Sequence, residues 1–171
     1  MKFLIFFLYL ISTSLSYSIE RPDIKNIVVH KEPITYEKVT FKDISGKNID
    51  LKNFENNLLI LNFWATWCAP CREEMPSLDL LQSNKKLNNL KVLPINIGQE
   101  DLSKSIKFFK ELKIKNLDIY FDPSIDLAKK FSLRGLPTSI LFNKEGKEFA
   151  RIIGIVNFTD EKLINWLGNF N

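Results

Sequence analysis

The chain carries two cysteines, Cys68 and Cys71, three positions apart. Residues at that spacing are neighbours on one helical turn. The pair can therefore close a small disulfide ring, or open to a dithiol, with little backbone movement. A short aromatic turn, Trp64-Ala65-Thr66-Trp67, precedes them, and a helical pattern follows. Unpaired N–H groups and the positive end of the helix dipole gather at a helix start. They favour a thiolate over a thiol, lowering a cysteine pKa from about 8.5 to roughly 3.5–7.5. Pro70 suits the first turn, where a missing N–H costs nothing. The chemistry implied is thiol–disulfide exchange, with Cys68 as exposed attacker and Cys71, one turn deeper, as the resolving thiol.

Other uses of two cysteines fit less well. Structural zinc usually takes four Cys or His ligands, and the chain offers Cys68, Cys71 and His30. Covalent haem needs His directly after the second cysteine, where Arg72 stands. A static disulfide and a Cu(I) carrier using both thiolates stay open as alternatives. Met75 lies close in sequence, but a Met there reads as core packing.

The elements that must hold the pair follow from the pattern around it. The apolar run 58–63 predicts a fully buried central strand. Residues 69 to about 87 predict a helix with Met75, Leu78, Leu81 and Leu87 on its apolar stripe, kinked at Pro76. Glu74 falls one turn past Cys71 on the same face. If buried, it would hold a proton and tune the thiols; Glu73 reads as surface. Trp67 is placed to flank the reactive sulfur and shape a docking surface. Residues 91–97 predict a second strand, in which Pro94 implies a bulge or an earlier end. Residues 101–112 predict a helix with Leu102, Ile106, Phe109 and Leu112 inward and Asp101 as N-cap. A short strand over 117–121 and a short helix over 124–131 follow. Hairpins are expected around Ser45-Gly46-Lys47 and around 143–146. A last helix runs to about Leu167, with Leu163, Trp166 and Leu167 inward.

The run FWATWCAPCREEMP, together with Gly135-Leu136-Pro137-Thr138 in register, resembles the membrane-anchored or periplasmic thioredoxin-like reductases of the TlpA/ResA/DsbE type. The match extends from about Phe41 to the C-terminus. The resemblance implies an α/β fold, a thioredoxin-like mixed sheet flanked by helices, with an N-terminal β-hairpin and a central insert. It implies a thiol–disulfide oxidoreductase, specifically a disulfide reductase for extracytoplasmic clients of the cytochrome c maturation or copper-site assembly kind. Asn62 stands where cytoplasmic thioredoxins carry a buried Asp. Glu74 matches the acidic residue that TlpA-like proteins carry three positions after the second cysteine. The 134–138 loop resembles the cis-proline loop that faces the CxxC. Pro137 has no N–H, and its turn leaves the Leu136 backbone free to pair with an extended substrate segment. The site set is thus Cys68, Cys71 and Glu74 for chemistry and Trp67, Leu136 and Pro137 for the client, with no metal and no cofactor. A membrane thiol donor would recharge the pair. A Cu(I) carrier and a peptide-binding chaperone are the rival classes.

Composition bounds these readings. With 171 residues there is room for one domain and a leader. The net charge of +4 is mild and the lysines are spread, which argues for a solvated surface rather than a nucleic-acid site. Two cysteines are too few for a disulfide-stapled scaffold. Residues 1–18 read as a signal peptide or N-terminal membrane anchor: Lys2, an apolar run over 3–11, then Ser14, Ser16 and Ser18. The run alone is shorter than the ~20 residues that cross a bilayer. Either form places the domain in the periplasm or on the outer face of the cytoplasmic membrane. Residues 19–36, with Pro22, Pro33 and no period, read as a linker or strap, and His30 within them is assigned no role. Residues 37–171 form the domain, expected to be a monomer.

Overall fold

Every residue of the strand β4 (Leu58–Trp64) is buried. It is buried because it is flanked on both edges. The strand β5 (Leu90–Asn96) runs parallel beside it, and β7 (Thr138–Phe142) runs antiparallel on the other side. Its side chains alternate between two cores, as strand geometry requires. Leu58, Ile60 and Trp64 enter one cluster, while Leu59, Leu61 and Phe63 enter the other. Asn62 is the polar member of the first row and is 1% exposed.

The computed structural model describes residues 21–171; the expected leader over 1–18 lies outside the described residues. Five further strands complete the sheet: β1 (Ile27–Ile34), β2 (Thr40–Lys42), β3 (Asn48–Asp50), β6 (Tyr120–Phe121) and β8 (Glu148–Ile153). The order across the sheet is β1-β8-β7-β4-β5-β6-β2-β3. Among the described residues, four α-helices cover it: α1 (Ala69–Gln82), α2 (Leu102–Glu111), α3 (Asp126–Lys130) and α4 (Glu161–Gly168). α1, α2 and α4 supply Met75, Leu78, Phe108, Leu163 and Leu167 to the first core. α3 and the β2–β3 hairpin supply Leu127 and Phe41 to the second. This is the mixed, helix-flanked sheet expected from the sequence.

Several elements differ from expectation, each for a local reason. The segment read as a linker or strap contains β1, which pairs antiparallel with β8 from Ile27↔Ile152 to Ile34↔Glu148 across an irregularity. That interruption, together with Lys31, Glu32 and Pro33, obscures the alternation that would have marked a strand. Pro94 sits mid-strand without a bulge in the β4–β5 register. β6 reaches only Ile95 and Asn96, so the β5 edge at Pro94 carries no further strand to receive an N–H. α1 stops at Gln82, with Ser83 as C-cap, and Leu87 enters the core from a turn closed by its N–H on Asn84 O. α2 is rotated relative to the predicted stripe. Ser105, Phe108 and Phe109 are buried, whereas Leu102 and Ile106 are 36% and 50% exposed. The reason is tertiary: Phe108 and Phe109 lie against the Trp64 ring at 4.7 and 5.5 Å between centroids. Asp101 caps α2 through its backbone alone. The strand expected over 117–121 contracts to β6.

Candidate active site

Cys68 is the N-cap residue of α1, in extended backbone, and its Sγ accepts from the Cys71 N–H at 3.2 Å. The two cysteines are joined as a disulfide with Cα atoms 5.3 Å apart. β4 delivers the chain to this point. Its last residue, Trp64, is followed by a turn closed by the Cys68 N–H on Ala65 O. Pro70 occupies the first helical turn, where its missing N–H is one of the helix's orphan donors. Cys71 is 1% exposed and Cys68 5%. The oxidised pair is thus more enclosed than the exposed attacker expected at Cys68, although Cys68 remains the outer of the two. Trp67, beside it, is 69% exposed, so its ring is a surface feature rather than a packing residue.

The loop before Cys68 is held from the β5–α2 side. The Glu100 carboxylate accepts from the Thr66 N–H at 3.3 Å and from the Thr66 hydroxyl. Gly98 leaves the space for this: a Cβ there would collide with the Glu100 carboxylate. Ile97 N–H on Trp64 O adds a backbone tie. Behind the pair, Arg72 lies over the Phe108 ring at 4.7 Å and pairs with Glu111 at 3.0 Å, joining α1 to α2. Sequence reading found none of this clasp, since Glu100 and Thr66 lie 34 residues apart.

Glu74 is 3% exposed. Its Oε1 accepts from Asn62 Nδ2 at 2.8 Å and its Oε2 from the Val156 N–H at 3.1 Å. Burial pushes its carboxyl up to about 7, against the opposing pull of the Val156 and Asn62 donors. Asn62 Nδ2 also donates to Ser139 Oγ at 2.9 Å. One carboxylate on α1 is therefore tied to β4, to β7 and to the loop after β8. Ser139 and Val156 carry no local signature and were invisible in the sequence.

The Leu136–Pro137 peptide is cis. β7 begins immediately after it, with Thr138 opposite Phe63 of β4, so this loop meets the end of β4 that leads to Cys68. Leu136 packs against both cores, including the cluster that holds Cys68 and Cys71. Thr138 closes the loop by donating from its hydroxyl to Gly135 O at 2.8 Å.

His30, given no role from sequence, belongs to a separate, half-buried network around the buried Glu148. Its Nε2 lies 2.6 Å from Glu148 Oε1. The Tyr36 hydroxyl donates to Glu148 Oε2 at 2.7 Å, and Arg151 pairs with the same carboxylate and donates to Phe131 O at 2.6 Å. Burial pushes Glu148 up, but the bonds from Arg151, Tyr36 and His30 outweigh it and hold the carboxyl below its ordinary value. Among the described residues, no three His, Cys, Asp or Glu side chains gather as a metal would need.

Comparison with known proteins agrees with this geometry. Residues 35–147 match the AhpC/TSA family. A thiol-disulfide oxidoreductase ResA of Bacillus cereus is 34% identical over 129 residues, covering 73% of this chain and 70% of its own. The crystal structure of StoA from Bacillus subtilis is similar, with a TM-score of 0.64 and 26% identity over 78% of this chain and 98% of its own. A secreted thiol-disulfide isomerase from Corynebacterium glutamicum has a TM-score of 0.68 and 25% identity, covering 86% and 95%.

Proposed function

The chain belongs to the AhpC/TSA family of thioredoxin-like proteins and, within it, to the ResA-type thiol–disulfide oxidoreductases; from that premise we propose that it reduces disulfides in exported client proteins. The observation that carries the direction of attack is the cap. Cys68 Sγ occupies the acceptor position at the start of α1 and already receives the Cys71 N–H. A thiolate there would be stabilised by that donor and by the helix dipole.

The reduced enzyme attacks with the Cys68 thiolate on one sulfur of the client disulfide. A Cys68–client disulfide forms, and the departing client thiolate takes a proton from solvent. Cys71 then gives its proton to Glu74, whose carboxyl, raised by burial, is poised near neutrality to accept it. The Cys71 thiolate attacks Cys68 Sγ and releases the second client thiolate, which is protonated in turn. Two electrons have moved from the dithiol to the client, and the Cys68–Cys71 disulfide remains. A membrane thiol donor returns the electrons, in a compartment where disulfides otherwise persist. Trp67, Leu136 and Pro137 are the client-facing residues in this reading, with the Leu136 backbone pairing to an extended client segment.

The clients of this reading are cysteine pairs awaiting haem or copper, presented as short flexible segments. Residues 1–18 act as signal peptide or anchor, the domain's sheet begins with β1 at Ile27, and the monomeric domain works in the periplasm or on the outer face of the cytoplasmic membrane. Trapping tests this directly. Cys71→Ser leaves the mixed disulfide unresolved, and the trapped partners should be few, extracytoplasmic and rich in CxxC or CxxxC segments. Many unrelated secreted proteins in the trap, with ready oxidation of reduced peptides by the disulfide form, would identify a general oxidant or isomerase instead. Insulin reduction by dithiothreitol separates a catalyst from a peptide-binding chaperone, and Cu(I) competition tests a carrier.

A further inference from the structure

Asn62 makes two hydrogen bonds from one atom. Nδ2 donates to Glu74 Oε1 at 2.8 Å and to Ser139 Oγ at 2.9 Å, in a setting where all three side chains are at most 3% exposed. This arrangement suits the Glu74 anion; the neutral acid fits it less well, because Oε2 faces the Val156 N–H, a backbone donor that cannot turn away. When Glu74 gains a proton at Oε1, a donor would face a donor, and a buried mismatch of that kind is costly. An amide has a second option. A half-turn about its terminal torsion exchanges Nδ2 and Oδ1 with almost no change of shape. Oδ1 then accepts from the Glu74 carboxylic acid. It also accepts from Ser139, because a hydroxyl can accept in one state and donate in the other. An Asp at position 62 lacks this property, since an ionised carboxylate only accepts.

We propose that Asn62 is a positioning residue that turns its amide to follow the proton on Glu74, with Ser139 as the partner that keeps the amide bonded in both states. The idea rests on the reading of Glu74 as acceptor of the Cys71 proton. The proton leaves Cys71 sulfur and binds Glu74 Oε1; the N–H···O bond from Asn62 is replaced by an O–H···O bond to Asn62, and no charge is created or lost. The strands that bond this network, β4 and β7, add no titratable side chain, and Val156 contributes only its N–H. On α1, Glu73 is exposed, and Asp79 is engaged by the N–H groups of Lys115 and Asn116 at 3.1 and 2.7 Å. In the reduced protein Cys71, one turn before Glu74 on α1, is the thiol that this reading pairs with it. Burial and its two donors are the influences that set its carboxyl.

The test is nuclear magnetic resonance on the ¹⁵N,¹³C-labelled wild-type chain, reduced with dithiothreitol, from about pH 5 to about pH 9. The Asn62 side-chain amide should shift through one step with the same midpoint as the Glu74 carboxyl carbon. In Glu74→Gln that step should vanish. An Asn62 amide that stays flat, or that titrates away from Glu74, overturns the proposal. Because the readout is on the wild type, it does not depend on whether a core variant folds. Asn62→Leu removes the donor to the anion and the acceptor for the acid together, so the Glu74 midpoint should move by less than about one pH unit; a larger rise would identify Asn62 as a fixed donor to the anion and count against the proposal. Insulin reduction by the same sample separates the two failures. Active protein with a flat Asn62 signal removes the amide turn alone. A tracking Asn62 in protein that exchanges no disulfides leaves the amide turn standing and removes the thiol-exchange reading.

Discussion

At the residue scale, the two cysteines differ by position rather than by type. Cys68 holds the cap and Cys71 lies within the helix, 1% exposed. In the reduced protein, iodoacetamide should therefore modify Cys68 at least tenfold faster than Cys71 at pH 7, read by peptide mass mapping. Equal rates would contradict the assignment. Glu74 supplies the second contrast. Its carboxyl is pushed up to about 7 by burial, so the resolving step should depend on pH around neutrality. Glu74→Gln should abolish that dependence and slow resolution by roughly 10²- to 10⁴-fold, the range of general acid–base contributions. Stopped-flow measurement of mixed-disulfide decay across pH checks it. A wild-type profile in the variant would remove Glu74 from the mechanism.

At the element scale, β1 is held to β8 by more than its ladder. Glu148, fully buried, sits at the centre of His30, Tyr36 and Arg151, and Arg151 reaches on to Phe131 O. His30 lies on β1 and Tyr36 two residues past its end, so the network fastens this edge strand to the body of the sheet. Removing Arg151 leaves the buried Glu148 charge without its guanidinium partner. Arg151→Met should lower stability by about 3–5 kcal/mol, measured by urea unfolding at pH 7. His30→Ala, which removes a neutral-capable partner from a still-paired Glu148, should cost about 1 kcal/mol. If Arg151→Met is tolerated within 1 kcal/mol, the network is a surface pair in energetic terms and β1 is held by its backbone alone.

At the scale of the whole molecule, the two buried glutamates pull stability in opposite directions along the pH axis. Glu74 has a raised folded pKa, so the folded state binds its proton more tightly than the unfolded state. Its stabilisation is full below the ordinary value of 4.5 and is lost as pH rises towards about 7. Glu148 has a depressed folded pKa. Its stabilisation is present above 4.5 and is lost as pH falls through the folded value. Together they predict a stability maximum near about pH 5. At 1.36 kcal/mol per pKa unit, the Glu74 contribution should fall by roughly 2–3 kcal/mol between pH 5 and pH 8. Urea midpoints at both pH values measure this, and Glu74→Gln should flatten the alkaline side only. A midpoint independent of pH in this range would mean that Glu74 titrates near its ordinary value.

The division between what was legible in the chain and what was not has a physical basis. The cysteine spacing, the apolar run of β4 and the turn residues are local signals, and each forced its element. The Cys68 cap follows from a helix starting where Pro70 sits. The hairpin turns follow from Gly46 and Gly146, which adopt φ of +82° and +70°. Resemblance supplied Glu74 and the Leu136–Pro137 loop. Long-range pairings left no local trace. Asn62 meets Ser139 across 77 residues, Glu74 meets Val156 across 82 and His30 meets Glu148 across 118. α2 had a helical period with two plausible faces, and the stacking of Phe108 and Phe109 on Trp64 chose between them. The sequence alone thus determined where the two sulfurs meet and that a helix starts between them. Only the tertiary structure decided what surrounds the proton at Glu74, because its environment is assembled from β4, β7 and the loop after β8, which meet only once the sheet is complete.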